Sequence, residues 1–209
     1  MTTEQKYMKT LYKGYMIPPD KVPLIVSNTV LAGYFFGDEG LAVVSFLMPV
    51  FFLFETFGFW INYGAFEKSI EAVSNNETSL ARSYSSLALL LSVIAGVILS
   101  FAVISTFQSL INLLEIPSEL HRMAEDYGIT MAISGLFLVI ASYCWQFVKM
   151  VGLQAKIRKI YVLIMVIDAL VAIICIKIFN LGIVSLPIGM IGALLFVILM
   201  SGFYIYLKF

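Results

Sequence analysis

Charge is what this chain has little of. In 209 residues there are thirteen Asp and Glu, thirteen Lys and Arg and one His, so only 12% of the residues are charged while 61% are hydrophobic. A soluble domain carries about twice that share of charge and about 45–50% apolar residues. The composition excludes an ordinary soluble fold and points to a chain that crosses a membrane several times. The balanced charge, with no basic block interleaved with aromatics, argues against a nucleic-acid partner. Cysteine is nearly absent. Cys144 and Cys175 both fall in apolar runs without companions at metal-ligand spacing, so they read as small buried hydrophobes and not as a disulfide or a metal site. There is no His-Glu-x-x-His, no Gly-x-Ser-x-Gly and no pair of acids at metal spacing, which argues against an intramembrane enzyme. No cofactor is implied.

What is there is apolar length. The clearest stretch begins with Lys149, Lys156, Arg158 and Lys159, followed by an apolar run from Ile160 to Phe179 that only Asp168 and Lys177 interrupt. A basic loop feeding about 20 apolar residues is the pattern of a helix entering the bilayer from the cytoplasm. Read the same way, the chain predicts an all-α membrane protein with six transmembrane helices, at about 22–36, 41–63, 83–107, 127–148, 160–179 and 181–207. The lobe as a whole runs over 18–209. Residues 1–17, with Lys6, Lys9 and Lys13 among Tyr7, Leu11, Tyr12, Tyr15 and Met16, form an amphipathic segment suited to the membrane surface.

Between the spans, Gly37-Asp38-Glu39-Gly40 reads as a tight turn and 64–83 as a polar loop centred on Asn75-Asn76-Glu77-Thr78. Thr78 or Ser79 is placed to cap the next helix. Residues 108–126 read as an acidic loop around Pro117, with His121 solvated on it. Asn180-Leu181-Gly182 makes the last turn. Pro49 and Pro187 are the expected kinks. Trp60, Tyr63 and Trp145 suit an interfacial belt, and Gln146 reads as interfacial with them.

Alternate loops divide the basic residues unequally. The N-terminus, the 64–83 and 149–159 segments and the C-terminus hold eleven of the thirteen Lys and Arg, leaving only Arg122 and Lys177 on the other side. By the positive-inside rule both termini are cytoplasmic. A multi-pass protein of a cell membrane follows, with the bacterial cytoplasmic membrane the expected one.

All acids but two fall in loops or at helix ends. The exceptions are Glu55 and Asp168. A charge inside a span is expensive and marks a functional site by default. Asp168 is eight residues from Ile160, about 12 Å of helix, and Glu55 is eight residues from Tyr63, the same depth. Asn28, six residues into the first span, falls at about 9 Å. Asp168, Glu55 and Asn28 are therefore the candidate site, a polar layer able to bind Na⁺, take up a proton or hold an organic cation. The bland alternatives are a protonated packing residue at Asp168, a structural or lipid-adjacent Glu55 and a helix-packing hydrogen bonder at Asn28.

The pattern resembles the N-terminal half of the multidrug and toxic compound extrusion (MATE) transporters. The resemblance rests on Asn28-Thr29 followed by Gly33, Gly37 and Leu41-Ala42, with Pro49 beyond. It rests also on Lys149-Met-Val-Gly152 after the fourth span, on Asp168 in the fifth, and on Leu181-Gly182 and Gly189-Met-Ile-Gly192-Ala193 at the start of the sixth. It implies a single lobe of a two-lobed transporter that expels small amphipathic cations by alternating access, coupled to H⁺ or Na⁺. Three departures stand out. Asn28 replaces the acid of helix one, Ile164 stands where an asparagine precedes Asp168 by four residues, and Val197 stands near an expected threonine. With one carboxylate retained, proton coupling through Asp168, or no coupling at all in this lobe, fits better than sodium. The resemblance also implies twelve helices where this chain has six, so two copies or a second six-helix half would complete the cavity. A lipid-linked saccharide flippase of the same superfamily and a non-transporting membrane subunit are the alternatives. The flippase would need cationic cavity residues, and only Lys177 lies within a span, close to its end.

Overall fold

The computed structural model describes residues 22–150 and 154–208; the segment 1–17 lies outside them, as do the side chains of the basic run 149–159. The described chain is helical, with no strand. The helices are α1 (Val22–Ser74), α2 (Thr78–Ser105), α3 (Phe107–Leu113), α4 (His121–Met150), α5 (Gln154–Lys177) and α6 (Ser185–Lys208).

The first helix is the longest, at 53 residues, and only Gly37 leaves helical dihedrals, with φ 62° and ψ −150°. That conformation is open essentially to glycine alone. It divides α1 into a first arm, 22–36, and a second arm, 38–74. The turn expected over four residues is thus a one-residue break, with Asp38 already helical. Pro49 lies within the second arm without taking any residue out of helical dihedrals.

The second arm does not stop where its apolar run does. It continues from Tyr63 to Ser74, and α2 begins at Thr78. The polar loop expected over 64–83 is therefore two helix ends joined by a tight turn, in which Asn76 takes φ 62°. Polar composition ends a helix's burial without ending its backbone hydrogen bonding. Glu67, Lys68 and Glu71 are good helix formers, and Lys68 pairs with Glu71 at 2.8 Å one turn apart. The N-cap is Glu77, not Thr78 or Ser79. The acidic segment 108–126 is likewise mostly helical: α3, a 3₁₀ turn at Ser118–Leu120 and the start of α4. His121 is not a free surface residue there, since its Nε2–H donates to the Ile116 carbonyl at 2.8 Å.

Among the described residues, four helices are long and apolar enough to cross a membrane: Leu24–Ser74, Thr78–Ser105, Ser118–Gln146 and Gly182–Gly202. The first, at 51 residues, is about 75 Å long against a hydrocarbon core of about 30 Å. Its break at Gly37 falls between the two spans expected there. α5 adds a helix of 24 residues.

The centre of the bundle is α4. Its most apolar stretch is 67% buried, against 28% for that of α2, whose outer face is apolar and exposed through Leu90, Ile98 and Phe101. Small residues on α4 admit its neighbours. A methyl group on Gly135 would lie 2.4 Å from the Phe54 ring of α1, which is fully buried against it. Around this seam a continuous core joins Val43, Leu47 and Phe54 of α1, Val139 of α4, Ala172 of α5 and Leu186 of α6.

Candidate functional site

Asn28 and Asp168 meet. Asn28 sits in the first arm of α1, 3% exposed, and Asp168 in the middle of α5, fully buried. The Asn28 carboxamide donates one hydrogen to Asp168 Oδ2 at 3.2 Å and the other to the Leu24 carbonyl of its own helix at 3.0 Å. Its donors are then used, and they hold the two helices in register. The other carboxamide and carboxylate oxygens, Asn28 Oδ1 and Asp168 Oδ1, are buried without a hydrogen-bond partner, as are Ser27 Oγ and Ser185 Oγ.

Two further residues shape this place. Ser27, next to Asn28, is the other polar neighbour that the first arm offers to Asp168. Gly189 of α6 lies against the aspartate itself: a Cβ there would be 2.6 Å from the Asp168 carbonyl oxygen and 2.9 Å from Oδ1. Glycine at this point is a steric requirement for α6 to close over α5. Ser185, one turn earlier on α6, is fully buried on the approach to it. Asn28 also lines a cleft whose walls are Met48 and Phe51 of α1, Tyr127 and Met131 of α4 and Met190 of α6. In this conformation the cleft is narrow, with room for about one water molecule between its methionine and aromatic walls.

An interior carboxylate with one hydrogen bond from a neutral amide is undercompensated for a full charge. A proton or a small cation completes it. Ser27 lies beside the same aspartate, so a protonated Asp168 has a hydroxyl acceptor at hand. Where the resemblance expects an asparagine one turn before Asp168 there is Ile164, 2% exposed, and Val197 is buried on α6. Those two positions offer no oxygen to a metal ion. Among the described residues no group of three or more His, Cys, Asp and Glu converges.

The third expected member stands elsewhere. Glu55 is half-buried on the second arm, between Phe54, which packs on Gly135, and Gly58, whose missing Cβ faces Val139 and Ser142. The polar neighbours of Asp168 are Ser27 and Asn28. Gln146 is buried at 9% exposure, and Cys144 and Cys175 are buried free thiols. Ser27, Ser185 and Tyr127 carried no sequence signal of their own. Gly189 did, through the spacing of Gly189 and Gly192 on a helix beside an acid.

Comparison with known proteins gives a consistent picture. The MatE family model matches residues 24–176. No curated protein matches the chain. Among solved structures, a Vibrio cholerae MATE transporter, VcmN, in its bent form superposes with a TM-score of 0.82 at 16% identity, covering 90% of this chain and 43% of its own. A multidrug resistance MATE family transporter of the MOP superfamily in an inward-facing conformation gives 0.78 at 16% identity, covering 91% and 43%. A MOP superfamily transporter from Pyrococcus furiosus, whose binding pocket of reversed polarity suggests a different function, gives 0.74 at 16% identity, covering 90% and 44%. The chain spans less than half the length of these relatives.

Proposed function

Because the chain belongs to the MatE family of membrane transporters, we propose that it forms one lobe of a cation-coupled exporter of small amphipathic organic cations, working by alternating access in a bacterial cytoplasmic membrane. Six spans are counted by dividing α1 at Gly37 and adding α5 to the other apolar helices. Both termini are cytoplasmic on the distribution of Lys and Arg. The observation that carries the reading is the buried Asn28–Asp168 hydrogen bond beside a methionine-lined cleft. A buried ionisable group with its second oxygen unfilled supports a reading in which the narrow cleft widens in another conformation, and a guest there and a proton on Asp168 exclude or admit each other. Proton coupling is favoured over sodium because Ile164 and Val197 remove side-chain oxygens from the site.

Coupling then works through one equilibrium. With Asp168 charged, its second oxygen attracts a cationic guest; with Asp168 protonated, that attraction is lost and the guest leaves. By linkage, the ligand that binds the charged form lowers proton affinity by the factor by which protonation lowers its own.

The test is transport of a fluorescent organic cation in proteoliposomes under an imposed pH gradient, repeated with a sodium gradient. Asp168→Asn is expected to lower the rate by about tenfold or more, equivalent to ~1.4 kcal/mol, and to flatten its pH dependence. Glu55→Gln should leave both intact. Unchanged rate and pH dependence in Asp168→Asn would sink the coupling role. A lipid-linked saccharide as the preferred substrate, instead of a cation, would move the chain to the flippase reading.

A further inference from the structure

A second buried polar cluster lies away from Asp168 and shares no residue with its site. It sits where the second arm of α1, α2 and α4 meet. Asn62 and Ser92 are both fully buried. Ser92 Oγ donates to Asn62 Oδ1 at 2.6 Å and also lies 2.7 Å from the Ala88 carbonyl, while Asn62 Nδ2 donates to the Gly58 carbonyl at 2.7 Å. Across the seam, Ser142 is 7% and Gln146 9% exposed, and both Ser142 Oγ and Gln146 Oε1 are without a hydrogen-bond partner.

These residues fall at one level. The two helices advance together along the seam: Phe54 lies on Gly135, and then Gly58 faces Val139 and Ser142, with a Cβ on Gly58 only 3.1 Å from Val139 Cα and 3.4 Å from Ser142 Oγ. One turn further on, Asn62 and Gln146 follow, each four residues on and so on the same helix face as its predecessor. The needs of the cluster are complementary. Asn62 has a second N–H beyond the one given to Gly58, Gln146 has a bare acceptor, and Ser142 has a hydroxyl that can donate or accept. Buried polar atoms in native proteins find partners, and a buried water typically satisfies about three of them.

We propose that Asn62, Ser142 and Gln146 form a built hydration site, holding water that bridges the second arm of α1 to α4 and rests on the Asn62–Ser92 bond. The water accepts from Asn62 Nδ2–H, donates to Gln146 Oε1 and exchanges a hydrogen bond with Ser142 Oγ. Its consequence is mechanical. The second arm, α2 and α4 become one hydrogen-bonded unit, while the first arm, beyond the Gly37 break, is tied to α5 through Asn28 and Asp168.

The test is radiolytic labelling of the purified full chain in nanodiscs in H₂¹⁸O, read by mass spectrometry. Bound water oxidises the side chains next to it, and Tyr143 and Cys144, both buried, pack with Ala88, whose carbonyl lies 2.7 Å from Ser92 Oγ. The parent chain is expected to take up ¹⁸O on these residues despite their burial, and Ser142→Ala/Gln146→Leu to lose that labelling several-fold. No ¹⁸O above the unirradiated sample in the parent overturns the site, and so does equal labelling in parent and variant. Should the variant fail to fold, the parent's labelling decides alone. Thermal melts give an independent reading: if the seam is dry, Gln146→Leu removes an unsatisfied acceptor and raises the midpoint, whereas at a hydrated seam it lowers it or leaves it unchanged.

Discussion

Gly189 shows how a residue without a side chain fixes the chemistry of another. A methyl group there would lie within 2.6 Å of a backbone oxygen, which cannot swing aside as the end of a flexible side chain can. Gly189→Ala is expected to destabilise by about 1–3 kcal/mol, as overpacking does, and to reduce transport by displacing Asp168. Gly192→Ala is the control, since the nearest atoms its methyl would meet belong to the Val171 side chain, Cγ2 first at 3.2 Å, and not to a backbone oxygen. Unfolding in mixed micelles, with transport measured alongside, checks both; equal effects of the two substitutions would contradict this account. The acid itself was legible in the sequence because a charge in an apolar run needs a reason. Its partner Asn28 was legible from depth along the helix. Glu55, predicted at the same depth, stands on the second arm, while Asp168 is met by Asn28 and Ser27 of the first. Depth is one coordinate and direction around the helix axis is the other. An α1 that is apolar almost all round carries no periodicity from which to read it.

At the scale of elements, the decisive feature is the break in α1. A methyl group on Gly37 would have nothing within 4 Å of it, so a side chain there meets no obstacle, yet the dihedrals at φ 62° are closed to L-residues with a Cβ. Gly37→Ala is therefore expected to destabilise by about 1–3 kcal/mol from backbone strain alone, or to straighten the helix and pull Asn28 from Asp168. Gly64 has equally open surroundings but an ordinary helical backbone. Gly64→Ala should stabilise, by up to about 1 kcal/mol, through helix propensity. Opposite signs at two equally uncrowded glycines would isolate conformation from packing, and the same unfolding assay reads them. The break was visible beforehand as a glycine-rich tetrapeptide. Its brevity was not, because Asp38, Glu39 and Gly40 look like a loop while their backbone stays in the helix. The helix ends at Ser74 and Thr78 were missed for the converse reason. Hydropathy reports where lipid contact stops, and the hydrogen-bond ladder, supported by Lys68 and Glu71, runs on past it. At the last turn of α5, Lys177 Nζ lies 5.3 Å from the centre of the Phe35 ring, so the first arm is held to α5 at two points along its length, by this contact and by Asn28.

For the whole molecule, long apolar runs were enough to read an all-helical membrane protein, because run length against bilayer thickness is the strongest constraint a membrane places on a sequence. What lies beyond one lobe was not readable, since an apolar face that meets lipid and one that meets another protein have the same composition. The relatives in which this fold recurs are more than twice as long. A single lobe exposes large aromatics on both arms of α1, with Tyr34 81%, Trp60 67% and Phe57 50% exposed. If two copies supply both walls of a cavity, light scattering in nanodiscs, with the lipid and scaffold contribution subtracted, should return a protein mass of twice 23.3 kDa. Phe57→Asp together with Trp60→Asp should then return the monomer mass and abolish transport together, while the isolated lobe keeps its helical signal. A parent chain that is monomeric and still transports would remove the need for a second lobe. A parent that is monomeric and inactive would place the missing wall on a separate six-helix partner, whose addition should restore transport only while Asp168 is intact.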